Sequence, residues 1–208
     1  MSLPSDPREI EKKSFEIISA LLEGKGLEGP ERDVVMRVVH ATADPEFADL
    51  MLFSGGAAKA GIEAVKSGCA VVTDVTMLKA GISRNRPGGR EALCHIADPD
   101  VAEAAKKDGG TRAVAAMRKA AMLGEMDGAV VAIGNAPTAL FELIRLIKDG
   151  KARPALVVGV PVGFVGASES KEGLAAMTGV PFITSRGRKG GSAVAAAIVN
   201  ALIKLAGK

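Results

Sequence analysis

The feature that most constrains the fold of this chain is the alternation of short apolar runs with helical stretches. Helix-forming segments of about ten or more residues, such as 57–66 and 191–205, separate most of these runs. Continuous apolar runs interleaved with helices are typical of a parallel sheet covered on both faces. We therefore predict a three-layer α/β fold with a doubly wound, mainly parallel sheet. The runs are LMLFSG, CAVVTDV, ALCHIAD, GAVVAIGN, ALVVGV and PFITS.

The length and composition predict one domain that spans residues 1–208. A chain of 208 residues buries roughly 70 % of the surface that its unfolded form exposes, so it needs no disulfide or metal to fold. Hydrophobic residues make up 48 % of the chain, yet it has six Phe and neither Trp nor Tyr. Such richness in small apolar residues suits helices packed closely on a sheet.

Charge, aromatic content and cysteine usage exclude several classes of function. A net charge of +3 with few aromatics predicts no nucleic-acid partner, because single-strand binders combine a basic groove with stacking rings. Cys69 and Cys94 offer neither a disulfide framework nor zinc spacing, so we expect no metal. The N-terminal segment lacks a cleavage site, and no run approaches the roughly 20 apolar residues of a membrane span. We expect a cytoplasmic protein with no membrane partner.

The loops that follow the predicted strands are the expected location of a ligand site. They contain neither G-x-G-x-x-G nor G-x-x-x-x-G-K-[ST]; the nearest approach, GRKGGS at 187–192, lacks the spacing, so no nucleotide cofactor is expected. Each basic residue near these loops is equally well interpreted as a solvated surface residue. Their concentration favours an anionic ligand, a polycarboxylate or a phosphate. They are Arg84, Arg86, Arg90, Arg112, Lys171, Arg186, Arg188 and Lys189.

One of the two histidines, His40, is the candidate for proton transfer. It lies three residues after Arg37 in MRVVHATADP, and residues i and i+3 of a helix are neighbours, so the two side chains can address one ligand. Imidazole is the best side chain for moving a proton near neutral pH. A helix cap or a satisfied core residue is the alternative for His40. We interpret His95, next to Cys94 in an apparent strand, as structural.

Five ordered motifs across nearly the whole chain resemble the precorrin-8X methylmutase family, including its cobalt-precorrin-8 branch. The first is Ser14-Phe15, in a helix predicted from Asp6-Pro7 to about Leu22, where a serine within an apolar stripe otherwise suggests only close helix packing. The other four are MRVVHATADPEFA at 36–48, TDVTMLKAGISR at 73–84, IGNAPTALF at 133–141 and GVPVGFVGASESK at 159–171.

The resemblance implies an isomerase of cobalamin (vitamin B12) biosynthesis. It would move a methyl group from C-11 to C-12 of a corrin precursor, giving hydrogenobyrinate or cobyrinate, with no external methyl donor and no cofactor. The matching positions imply that His40 donates and recovers a proton and that Ser14 and Arg37 contact the tetrapyrrole substrate. Ser83 and Arg112 match further contacts by position. The resemblance also implies a homodimer.

Two other classes of function remain open from the sequence. A noncatalytic tetrapyrrole-binding carrier would share a basic, glycine-lined site but would not need His40. A nucleotide-dependent oxidoreductase or transferase would share the α/β fold, and it would bind its nucleotide in a titration. The sequence does not decide whether the substrate carries cobalt.

Overall fold

The computed structural model describes residues 6–89 and 91–207. In this part of the chain five strands form one sheet in the order β1-β5-β4-β3-β2. β1 pairs antiparallel with β5, and the other three pairings are parallel. The strands are β1 (Met51–Phe53), β2 (Val71–Thr73), β3 (Val130–Ile133), β4 (Leu156–Gly159) and β5 (Phe182–Ser185).

Helices cover both faces of this sheet. One layer contains α1 (Pro7–Leu21), α2 (Gly29–Thr42), α4 (Ala57–Lys66), α5 (Thr76–Gly81) and α10 (Ser192–Ala206). The opposite layer contains α6 (Pro99–Lys107), α7 (Arg112–Met122), α8 (Pro137–Lys148) and α9 (Ala167–Ala175). The short α3 (Phe47–Leu50) leads into β1. We call these two layers the α10 layer and the α8 layer. The predicted three-layer α/β architecture is confirmed.

The central strands are apolar on both sides because each side meets a different layer. Val130 of β3 packs in the core under the α10 layer, whereas its neighbour Val131 packs in the core under the α8 layer. Close packing needs small residues: a Cβ added at Gly61 of α4 would lie 2.7 Å from Cδ2 of Leu156 on β4. The continuous apolar runs in the sequence therefore reflect burial on both faces of the sheet.

The strands β2, β3, β4 and β5 lie side by side in chain order. The helices that directly precede β3, β4 and β5 belong to the α8 layer, so these strands show no reversal of strand order of the kind that opens a ligand crevice. The predicted strand ALCHIAD is absent; Leu93 makes an isolated parallel bridge to Val72. No helix of residues 6–89 and 91–207 has the length and apolar character needed to cross a membrane.

Local contacts set the start of α1 and the end of α2, two helices of the α10 layer. Asp6 caps α1, since its carboxylate accepts a hydrogen bond of 2.9 Å from the amide of Arg8. Helix α2 ends where Ala43 takes a left-handed conformation with φ of 53°, which costs a non-glycine residue about 1–2 kcal/mol. In the turn that follows, the Asp44 carboxylate accepts from the amide of Glu46 at 3.1 Å. The end of α2 is therefore fixed.

Candidate active site

The last turns of α2 place His40 and Arg37 against one aromatic ring. The imidazole of His40 stacks on Phe15 of α1 with ring centroids 5.0 Å apart and planes 10° apart. The guanidinium carbon of Arg37 lies 4.4 Å from the centroid of the same ring, a cation–π contact. Of the residues that the structure describes, none is hydrogen-bonded to the exposed His40 ring. Its ring nitrogens are therefore not occupied by any of the described residues.

Arg37 is also held by a carboxylate of α1. Nη1 of Arg37 lies 2.8 Å from Oε1 of Glu11, and the Arg37 side chain is 24 % exposed. The hydrogen bond and charge of Arg37 hold the pKa of the Glu11 carboxyl below its usual range. The guanidinium is therefore already placed to grip a carboxylate.

Two neighbouring cavities share Arg37 and Lys204 in their walls. The larger, about 600 Å³, lies between α2, α10 and the loop after α5, and Ser83, Asn85 and Asn200 line it. The smaller, about 290 Å³, lies between α1, α2 and α10. We call it the α1–α2–α10 cleft. Both cavities lie on the outside of the α10 layer.

Ser83 is held at the larger cavity by α10. Its amide donates to Oδ1 of Asn200 at 2.8 Å, and Nδ2 of Asn200 donates to the carbonyl of Gly81 at 2.8 Å. The structure thus brings two of the predicted substrate contacts, Arg37 and Ser83, to one cavity.

Ser14 and Arg112 do not line either of these cavities. The hydroxyl of Ser14 donates to the carbonyl of Ile10 within α1 at 2.9 Å. Arg112 is exposed at the start of α7, in the layer that covers the opposite face of the sheet. Its neighbour Thr111 contacts Thr138 of α8, 3.1 Å between hydroxyl oxygens. Within one chain, Arg112 is therefore separated from His40 by the sheet.

The basic residues expected around the strand exits do not form one cluster. Arg86 does not lie at a strand exit, contrary to the expectation: it is nearly buried and donates to the carbonyl of Cys69, which precedes β2 at the amino end of the sheet. It lines the larger cavity. Arg84 pairs with Glu91 at 2.6 Å. Lys189 pairs with Asp44 at 2.6 Å and Glu46 at 2.7 Å, and so ties the loop after β5 to the end of α2. Arg90 lies outside the described residues.

Lys171 of α9 is buried at the carboxyl end of the sheet. Its ammonium donates to the carbonyl of Lys189 at 2.7 Å and to the hydroxyl of Ser185 at 3.3 Å, and no carboxylate of the described residues is paired with it. Burial lowers the pKa of Lys171 to about 8. Nothing in the sequence ASESKEG signals this burial. Lys171 therefore supports the loop after β5 rather than the cavities.

Asp74, directly after β2, is fully buried and joins two strand exits. Its carboxylate accepts from the amides of Gly134, Asn135 and Ala136, at 3.2, 2.8 and 2.8 Å. Burial raises the pKa of this carboxyl, while the three amides oppose that change. The motifs TDVTMLKAG and IGNAPTA are thus held together by one side chain.

His95 lies in the α8 layer between two carboxylates. Nδ1 is 2.8 Å from Oδ2 of Asp98, and Nε2 is 2.6 Å from Oε2 of Glu125. Lys119 also contacts Asp98, at 2.8 Å. Burial alone would lower the pKa of His95, but the hydrogen bonds and charges of Glu125 and Asp98 outweigh it and raise this pKa. These contacts support the structural interpretation of His95.

Sequence reasoning did not single out Glu11, Asn200 and Lys204, which lie beside Arg37 or in the cavity walls. Only Lys204 carries a local signal, as a lone cation near the end of an apolar helix. In the part of the chain that the structure describes, no group of three or more His, Cys, Asp or Glu side chains is arranged to hold a metal ion.

The fold and these cavities define an α/β protein that presents an exposed histidine beside cationic, partly apolar cavities. Such a surface suits an organic ligand that carries carboxylates, because arginine binds carboxylates in a specific geometry and apolar side chains contact the rest of the ligand.

Comparison with known proteins identifies the family within that class. A family model described as precorrin-8X methylmutase matches residues 9–205. A cobalt-precorrin-8 methylmutase of Priestia megaterium is 50 % identical over 98 % of this chain and 90 % of that protein. One from Methanocaldococcus jannaschii is 52 % identical over 85 % and 80 %. The crystal structure of a precorrin-8X methyl mutase from Thermus thermophilus superposes with a TM-score of 0.88 at 43 % identity, covering 96 % of each chain.

This chain belongs to the precorrin-8X methylmutase family. The expected activity is therefore confirmed: the chain is an isomerase that moves a methyl group in cobalamin biosynthesis.

Proposed function

We propose that His40 is the acid–base residue of the methyl shift. Its ring is exposed and held in orientation by Phe15, and no described residue competes for its nitrogens. In the proposed step His40 lends a proton to the conjugated ring system, which makes the receiving carbon electron-poor. The bond from the methyl group to C-11 breaks as the bond to C-12 forms, and His40 then recovers the proton. No redox partner or methyl donor is consumed.

Arg37 and Ser83 are proposed as contacts that orient the substrate. Both line the larger cavity, where Arg37 offers donors to an acidic side arm of the macrocycle. Positioning a large ligand in one orientation accounts for much of the acceleration of an intramolecular step.

Ser14 and Arg112 are proposed as contacts in a homodimer. Arg112 lies in the α8 layer, across the sheet from His40, so we infer that a second copy supplies it to the site. Ser14 lies beside an exposed apolar stripe on α1, and such unpartnered stripes favour burial at an interface. This stripe consists of Ile10, Ile17 and Leu21. We also propose that the protein is located in the cytoplasm, because a reducing compartment keeps thiols such as the two free cysteines in the reduced form.

Cobalt-precorrin-8 is the proposed natural substrate. The relatives named above at 50 % and 52 % identity are cobalt-precorrin-8 methylmutases, and they carry this proposal. At 42 % identity both names occur, for proteins of Leptospira interrogans (cobalt-precorrin-8 methylmutase) and Pseudomonas aeruginosa (precorrin-8X methylmutase). Incubating the enzyme with cobalt-bearing and metal-free precursor side by side, and following absorbance, tests the assignment. Faster conversion of the metal-free precursor would contradict it.

A further inference from the structure

The wall of the α1–α2–α10 cleft combines apolar and cationic side chains. Phe15, Met36 and Leu205 supply apolar surface. The cations of its wall are Arg8, Lys12, Arg37 and Lys204, against the two carboxylates Glu11 and Asp33. Positive charges over a low-dielectric floor attract an anion more strongly than the same charges in open solvent.

Within this cleft Glu11 already occupies the position of a bound carboxylate. It contacts Arg37 at 2.8 Å, and its side chain is 45 % exposed. The charge of Lys204 also acts on it. An ion pair this exposed contributes little to stability, and helix α1 packs chiefly on α2. Releasing Glu11 to solvent therefore costs the fold little.

Lys204 forms no ion pair with Glu11. It is exposed on α10, lines both cavities, and is ion-paired with no carboxylate of the described residues. Arg37 and Lys204 thus line both cavities together, and Glu11 is the carboxylate that contacts Arg37.

We propose that one carboxylate arm of the corrinoid enters the α1–α2–α10 cleft, displaces Glu11 and lies between Arg37 and Lys204. This inference rests on the corrinoid substrate of the proposed function. Glu11 is then an internal stand-in that keeps Arg37 oriented until the ligand arrives, and Lys204 selects an arm that carries a negative charge.

The test is a titration of the folded enzyme with cobyrinic acid, the coloured product, followed by its absorbance. Lys204→Gln should weaken binding about tenfold, since it removes one charged contact. Glu11→Gln should tighten binding about threefold, because the competing internal charge is gone. Matched controls are Lys148→Gln, on the exposed end of α8 in the opposite layer, and Glu9→Gln, on α1; both should bind as the unchanged enzyme does.

The opposite signs of the two effects separate this inference from simple loss of structure. The methyl ester of cobyrinic acid, which lacks the negative charges, should bind all variants alike. Equal affinity of Lys204→Gln and Lys148→Gln for the acid, or weaker binding by Glu11→Gln, would overturn the inference. Turnover of the precursor by the unchanged enzyme tests the proposed function separately. If the enzyme shows no turnover but both affinity changes occur, the proposed function is wrong and the inference about the cleft is supported.

Discussion

The two histidines of this chain lie in opposite helical layers and in opposite chemical surroundings. His95 of the α8 layer is 14 % exposed, with a carboxylate on each ring nitrogen. His40 of the α10 layer is exposed and stacks on a ring that offers no acceptor. Both ring nitrogens of His95 are held by carboxylates, whereas no described residue is hydrogen-bonded to the ring of His40.

Two charged residues, one from each layer, show the same contrast. In the α8 layer, the nearly buried Glu142 is satisfied by Arg118 at 2.8 Å and Arg145 at 2.6 Å. In the α10 layer, Lys204 lines two cavities and is ion-paired with no carboxylate of the described residues. Charges that are paired inside the fold stabilise it, whereas charges that face a cavity are available for binding. A titratable residue is therefore best assigned a role from what already holds it.

The largest effect is expected from His40→Ala. Turnover should fall by roughly 10² or more, because the proton donor is lost, while the corrinoid still binds. Single-turnover absorbance at saturating precursor, together with the dissociation constant, measures both quantities. Unchanged turnover would remove the proposed role of His40.

Replacing His95 by alanine should lower the stability of the protein and leave its turnover almost unchanged. His95→Ala leaves Asp98 and Glu125 without their shared donor, so the free energy of unfolding should fall by about 1–3 kcal/mol. The rate of methyl transfer should stay within about twofold of the unchanged enzyme at a temperature where both are folded. Chemical denaturation and single-turnover kinetics provide the two measurements. A hundredfold loss of rate without loss of stability would reverse the assignment of the two histidines.

The smallest effect is expected from pH. Because the pKa of folded His95 is raised above its unfolded value of about 6.5, its contribution to stability is fully present below that value. The contribution is lost as the pH rises through the folded pKa. The stability difference between the unchanged enzyme and His95→Ala should therefore be larger at pH 6 than at pH 9. Taking the difference between the two proteins cancels the contribution of other titrating groups such as Lys171. A stability difference that grows with pH would contradict the stabilising role of the contacts between His95 and its two carboxylates.

Much of the fold could be predicted from the sequence because burial on both faces leaves a local mark. The runs GAVVAIGN and ALVVGV contain β3 and β4. The run ALCHIAD misled, since His95 turns to Asp98 and Glu125 instead of continuing a strand. The direction of β1 could not be predicted either, because an apolar run reads alike in parallel and antiparallel pairing.

The candidate site, too, could be predicted from the sequence only in part. The neighbourhood of His40 and Arg37 follows from helix spacing and could be predicted from one segment. The cleft could not, because Lys204 comes from α10, at the other end of the chain from the helices of Glu11 and Arg37. A ligand site was expected at the loops that follow the strands. The cavity that Arg37 and Ser83 line lies beside α10.

The buried lysine of α9, Lys171, offers a chemical probe of the loop after β5. With its pKa lowered to about 8, a substantial share of the Lys171 amine is an uncharged nucleophile in mildly alkaline buffer, yet the surrounding protein shields it from reagents. Because the Lys171 amine is hydrogen-bonded to the carbonyl of Lys189 and the hydroxyl of Ser185, we expect acylation only when the loop after β5 opens. The rate of this acylation, measured by mass spectrometry, would therefore report how often the loop after β5 opens.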